Sequence, residues 1–222
     1  MKLDSGSVRC FMGSYEKRDF DTASKTWDEN PGRVKVAGCI ADAILIEVPV
    51  SKNMDALDYG CGTGLVTLAI QPHVRSITCL DSSSGMLDVL ERKVKDEGIT
   101  SVRTMLLDLE KDAVPDLHVD LLICSMTMHH VSDLGRVITA FSRMLKSGGY
   151  LAIADLDLDD GEFHEDNTGV VHFGFDRAEL MNMLDVAGFE DVSARTACFF
   201  PKEVAGKGIR EFSIFLITAR KH

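Results

Sequence analysis

The sequence predicts an α/β protein: a doubly wound, mostly parallel seven-stranded sheet with an antiparallel C-terminal edge strand. Three observations predict it. Strand-like and helix-like runs alternate along the chain, which puts helices on both faces of a parallel sheet. The run Val119-Asp120-Leu121-Leu122-Ile123-Cys124 is almost wholly apolar, as a strand covered on both faces must be. Finally, Gly60, Gly62 and Gly64 form a turn between a short strand ending at Tyr59 and an apolar helical run, Leu65 to Ile70. Strand, glycine turn and helix in that order present backbone N–H groups to a bound ligand.

Taken in order, residues 1–19 are polar and read as loose, with Met12 an alternative start. Phe20 and the only tryptophan, Trp27, follow among polar residues. Val34, Ala37, Ile40, Ala41, Ile44, Leu45 and Val48 recur at three- and four-residue spacing, which is an amphipathic helix stopping before Pro49. The glycine stretch supplies the first strand and the second helix. Ser76 to Leu80 reads as a second strand with Asp81 at its carboxyl end. A helix over 83–97 ends at Gly98, and Val102 to Leu107 makes a third strand ending at Asp108. The apolar strand at 119–124 leads through SMTMHHV to a helix over about 133–146, closed by Ser147-Gly148-Gly149, and Tyr150 to Ala154 is the fifth strand. Residues 155–175 are acidic and patternless, and a connection that long is usually functional. Asp176 caps one more helix, and runs at about 190–198 and 211–219 form the last two strands. With no helix between them, those two can pair antiparallel.

Composition narrows the class. The chain has 222 residues, 45% hydrophobic and 27% charged, which suits one globular domain over 1–222. No apolar run reaches membrane-spanning length, so no integral membrane segment is expected. The N-terminus lacks the apolar stretch of a signal peptide, so the expected location is cytoplasmic. Six scattered cysteines without a CxxC pair read as reduced thiols holding no metal. A net charge of −11 argues against nucleic acid as a partner.

The chemistry-bearing residues gather at strand carboxyl ends, where open α/β sheets bind ligands. Asp81, about 20 residues beyond the glycines, suits the hydroxyls of a ribose. A dinucleotide fingerprint would need glycine or alanine at Leu65; the pattern here is D-x-G-x-G-x-G. Asp58 would oppose a pyrophosphate but suits an ammonium group, which favours S-adenosylmethionine over NAD. Histidines 129, 130, 164 and 172 are candidates for the acceptor side, with His130 and His172 the preferred general bases. The run Asp155 to Asp160 reads as a solvated lid. A metal site using those acids lacks regular ligand spacing, and none is expected.

LDYGCGTG, CLDSS, LLDLE, VDLLICSMTMHHV and LKSGGYLAIAD together resemble the class I S-adenosylmethionine-dependent methyltransferases, most closely the small-molecule group that includes the ubiquinone- and menaquinone-pathway enzymes. The resemblance covers roughly residues 20–220. It implies a Rossmann-like methyltransferase fold, S-adenosylmethionine as cofactor with S-adenosylhomocysteine as its product, and a small-molecule methyl acceptor. A homodimer is compatible with it. Asp58, Gly60, Cys61, Gly62, Thr63 and Gly64 would hold the methionine part, and Asp81 the ribose. Ser82 and Met86 would lie beside the adenine, Asp108 would accept from its amino group, Leu109 would pack on the ring, and Ser125 would line the cleft. Residues 20–50 would form a lid arm and helix, with Phe20 and Trp27 as lid contacts, and 155–175 a substrate-side loop. An NAD-dependent oxidoreductase and a non-catalytic S-adenosylmethionine-binding module are the alternatives.

Overall fold

A computed structural model describes residues 18–222. The looseness expected of residues 1–19 and the start at Met12 therefore concern a stretch that, but for Arg18 and Asp19, lies outside the described residues. Seven strands form one sheet: β1 Asp55–Tyr59, β2 Ser76–Asp81, β3 Val102–Leu106, β4 Val119–Ser125, β5 Leu145–Leu156, β6 Phe189–Val204 and β7 Gly208–Lys221. Their order is β3-β2-β1-β4-β5-β7-β6. The first five pair in parallel; β7 pairs antiparallel with both β5 and β6. The antiparallel C-terminal strand thus slots between β5 and β6, and β6 takes the margin.

Six helices flank the sheet: α1 Phe20–Ala23, α2 Pro31–Glu47, α3 Leu65–Ile70, α4 Ser84–Asp96, α5 Leu134–Met144 and α6 Arg177–Val186. Their ends follow local chemistry. Asn30 accepts from Gly32 N and Arg33 N ahead of Pro31, Ser83 accepts from Met86 N, and Asp176 accepts from Ala178 N and Glu179 N; each cap satisfies amides with no partner inside the helix. Successive β4 residues feed opposite cores, as the two-residue strand period requires. Leu121 and Ile123 pack with Ile40, Ile44 and Ile70 on one face. Leu122 and Cys124 pack with Phe141, Leu180 and Phe215 on the other. Phe141 is fully buried, and truncating such a ring to alanine costs about 3–5 kcal/mol.

Two segments differ from the sequence expectation. Leu145 to Gly149 do not close α5 but open β5, because Leu145 already pairs with Val119. The last two strands are longer than 190–198 and 211–219 and pair as far as Val204 and Gly208. Pro201, a poor strand residue elsewhere, sits in the marginal strand, where its missing N–H costs least. Because β5 pairs with β7 only as far as Ile214, the β6–β7 hairpin continues past the sheet as a two-stranded ribbon.

Candidate active site

Strand order reverses between β1 and β4, and it is outside the carboxyl ends at such a switch point that open α/β sheets bind ligands. The glycine turn lies there. Gly60 N and Cys61 N both donate to Leu80 O, at 2.7 and 3.2 Å, which folds the turn back onto β2. Thr127, just past β4, crosses above Gly60: a Cβ on Gly60 would lie 2.3 Å from the Thr127 side chain, so only glycine lets the two strand ends close up. Gly62 has φ +55, and its Cβ would meet only Met86 Sδ, at 3.9 Å. The turn is therefore packed at Gly60 and open at Gly62.

Two carboxylates define the β1–β2 flank. Asp58 is 1% exposed. Its Oδ2 accepts from Thr67 Oγ1 at 2.5 Å, while Oδ1 is buried without a hydrogen-bond partner. Burial raises its pKa to about 7, because a charge removed from water is costly unless something compensates it. Asp81 accepts from Gly62 N at 2.8 Å and Ser83 N at 2.9 Å. Burial lifts its pKa, and those amides pull it back; each carboxylate oxygen keeps a further lone pair for another donor.

The remaining cofactor candidates are spread around this flank. Ser82 is exposed and Ser125 partly buried at the end of β4. Met86 is buried. Cys61 packs into the apolar core. Leu109 is fully buried with Leu57, Tyr59 and Leu80. Asp108 accepts from Glu110 N and pairs with Lys111 at 2.5 Å.

The N-terminal arm is strapped across the turn. Asp21 accepts from Ser83 Oγ at 2.6 Å and Gly85 N at 2.8 Å. Asp28 accepts from Thr63 Oγ1 at 2.6 Å and pairs with Lys93 at 2.5 Å, and Lys93 Nζ also donates to Thr63 O. Phe20 packs edge-on to Trp27, with centroids 5.9 Å apart, and to His130 at 5.2 Å. Phe20 thus links the arm to the histidines beyond β4.

Those histidines form the second flank. The rings of His129 and His130 lie 4.1 Å apart, His129 and His164 5.0 Å, His130 and His164 6.1 Å. Asp155 does not belong to a solvated lid: it is 0% exposed, and its Oδ1 lies 2.7 Å from His129 Nδ1. Burial works to raise the Asp155 pKa, but His129 and the amides of Leu156 and His129 bring it below the usual carboxylate value. Facing an ionised, acceptor-only carboxylate, His129 Nδ1 carries the proton. His130 Nδ1 lies 2.7 Å from Gly169 O; against a carbonyl it must donate, which leaves Nε2 as an acceptor. Burial and the neighbouring His129 ring lower its pKa to about 4. The same causes, burial first, hold His164 at about 3, and its Nε2 is buried without a partner. His172 stands apart. Its Nε2 meets Val131 O at 2.9 Å, its ring packs on Phe175, and burial lowers its pKa.

The structure therefore gathers Asp58, the glycine turn and Asp81 on one flank, and His129, His130 and His164 on the other, with the arm between. Sequence reasoning missed Asp21, Asp28, Thr127 and the His129–Asp155 pair. The one available signal for Asp155 was its place directly after an apolar strand. Among the described residues, no group of three or more His, Cys, Asp or Glu side chains is placed to hold a metal ion, and no helix is long and apolar enough to cross a membrane. A groove bounded by Asn53, Asp120, Lys146 and Tyr150 lies at the opposite, amino ends of the strands.

A reversed parallel sheet with an acidic glycine turn at the switch point is an arrangement similar to that of class I S-adenosylmethionine-dependent methyltransferases. The methyltransferase-domain family model matches residues 57–153. An uncharacterized methyltransferase of Schizosaccharomyces pombe is 32% identical over 154 residues, 63% of this chain and 54% of that protein. A ubiquinone biosynthesis O-methyltransferase of Coxiella burnetii is 26% identical over 145 residues, 64% of this chain and 62% of that one. The chain thus spans little more than half the length of these relatives. Among solved structures, an S-adenosylmethionine-dependent methyltransferase of Aquifex aeolicus superposes with a TM-score of 0.67 at 22% identity, covering 90% of this chain and 97% of that one.

Proposed function

We propose that this chain transfers the methyl group of S-adenosylmethionine to a small-molecule acceptor by in-line displacement, acting in the cytoplasm and not on nucleic acid. The observation that carries the reading is the pairing of an open-faced Gly62 with the unpartnered, buried Oδ1 of Asp58. An acidic acceptor there complements an amino-acid ammonium and repels the pyrophosphate of NAD. The cofactor residues proposed are Asp58, Gly60 to Gly64, Asp81, Ser82, Met86, Asp108, Leu109 and Ser125, with Phe20 and Trp27 closing over them. When bound, S-adenosylmethionine supplies an electrophilic methyl on a cationic sulfur.

What the chain contributes is alignment and exclusion of water, since a displacement needs its reactants held in line. The Asp21 and Asp28 contacts hold the arm over the turn, and Phe20 carries that closure to the histidines. His130 presents a neutral Nε2 as proton acceptor for the acceptor's nucleophilic group. Its depressed basicity suits an acceptor whose own proton is acidic, such as a phenol or enol. His172, tied to Val131 O, is the second base candidate.

Thermal denaturation tests the cofactor assignment: S-adenosylmethionine and S-adenosylhomocysteine should raise Tm and NADH should not, and the reverse result overturns it. Incubation with labelled S-adenosylmethionine and a panel of phenols, quinols and amines then tests turnover; cofactor binding with no product from any class favours a binding module. For His130→Ala, turnover should fall by about 100-fold or more with cofactor affinity kept, and full turnover in a folded variant removes it as base.

A further inference from the structure

Two cations meet beside the N-terminal arm, with Glu165 and Asp28 near Arg33 and Asp166 near Arg18. Although the chain has net charge −11, Arg18 and Arg33, both partly buried, meet at one tryptophan. The Arg33 guanidinium stacks 3.8 Å from the Trp27 ring centroid, and that of Arg18 lies 5.9 Å from Trp27 and 5.8 Å from Phe20. Arg33 Nη1 donates to Trp27 O at 3.2 Å. Among the described residues neither arginine has a carboxylate at ion-pair distance. Arg75, Arg177, Arg195, Arg210 and Arg220 do; other described arginines also lack one, but only Arg18 and Arg33 meet at one ring. Burial, then repulsion from Arg18, lowers the Arg33 pKa, against weaker attraction from Glu165 and Asp28. Gly169, whose carbonyl holds His130, comes so close to Arg18 that an added Cβ would lie 2.8 Å from Arg18 N. Two cations, two aromatic rings and His130 therefore form one continuous surface, and next to it the His164 Nε2 has no partner.

Guanidinium groups held together with no described carboxylate at ion-pair distance suit planar oxyanions, and an edge-on indole and phenyl pair favours a flat apolar body beside the charge. We propose that the methyl acceptor is a small carboxylic acid with a flat apolar body, its carboxylate held by Arg18 and Arg33 over the Phe20–Trp27 pair and its nucleophilic group directed at His130 and His164. This rests on the methyltransferase reading and specifies the substrate class for it.

Trp27 is the chain's only tryptophan, so its fluorescence reports on this surface directly. The protein saturated with S-adenosylhomocysteine is titrated with sodium benzoate and, separately, with benzamide, which has the same body without the charge. Benzoate should change Trp27 emission at concentrations at least tenfold lower than benzamide. Arg33→Gln and Arg18→Gln should each remove that preference, and Arg33→Lys should restore part of it. Equal response to the two probes, or a preference that survives both Gln variants, overturns the proposal. Should Arg33→Gln fail to fold, as circular dichroism would show, Arg18→Gln decides alone. Calorimetry of S-adenosylhomocysteine with the native protein separates the two readings: no binding there overturns the methyltransferase assignment, whereas binding with no benzoate preference overturns only the acid pocket.

Discussion

On the β1–β2 flank of the cleft, carboxylates meet backbone amides: Asp81 takes Gly62 N and Ser83 N, and Asp58 waits with one oxygen unpartnered. On the β4–β5 flank, side chains meet one another and the carbonyls of a distant loop: Asp155 with His129, His130 with Gly169 O, Phe20 with His130. The first flank is assembled from two short stretches on neighbouring strands and needs little beyond the glycine turn. The second draws on the arm, the segment after β4, the end of β5 and the loop beyond it. The difference teaches that the two flanks of the cleft are built independently, one from local backbone chemistry and the other from tertiary contacts.

The sharpest way to break the comparison is Asp155→Ala. On the β4–β5 flank a buried partner is lost, so unfolding by urea should show a destabilisation of about 3–5 kcal/mol. A change near zero would mean that this flank does not depend on the pair. Next comes the pH dependence of Asp58. Its folded pKa, about 7, lies above the unfolded value, so its contribution to stability is complete at low pH and is lost as pH rises through 7. Each unit of displacement is worth about 1.4 kcal/mol. His130, His164 and His172, with lowered pKa, favour folding as pH rises and oppose this contribution, so the variant isolates it: the Tm of Asp58→Asn relative to the native protein should rise between pH 5 and pH 8, and parallel curves would remove Asp58 as a contributor. Third, Asp81→Ala should weaken S-adenosylhomocysteine binding by about 2 kcal/mol, roughly 30-fold, through loss of a charged acceptor. Unchanged affinity by calorimetry would move the ribose site elsewhere. The smallest effect sharpens the role of the arm. Thr63→Val removes the bond to Asp28, worth about 1 kcal/mol, and should speed limited proteolysis within residues 18–30; an unchanged cleavage rate would show that Lys93 suffices.

The two flanks also differ in how far they can be read from sequence. The glycine turn, Asp58 and Asp81 are legible because strand, turn and helix are contiguous and each residue's place follows from local backbone chemistry. Helix ends at Ser83 and Asp176 are legible for the same reason. The pairing of His129 with Asp155 is not, because it joins residues 26 apart whose meeting depends on parallel pairing of β4 with β5. Arg18 and Arg33 look like solvated charges in a polar arm until the fold stacks them on Trp27. The β6–β7 ribbon was equally hidden: Phe199 and Ile209 are exposed, so the two-residue burial pattern that marks a strand fades where the sheet ends.

That ribbon touches two parts of the molecule that are far apart in sequence. Lys202 Nζ donates to Phe163 O at 2.5 Å, Lys207 and Arg210 pair with Glu162, and Phe200 lies against Gly32 at the start of α2. One beam thus touches both the loop bearing His164 and the helix bearing Arg33. A change that loosens this hairpin therefore reaches the His164 loop and the Arg33 helix together, through the Glu162 and Phe163 contacts on one side and the Phe200 contact on the other.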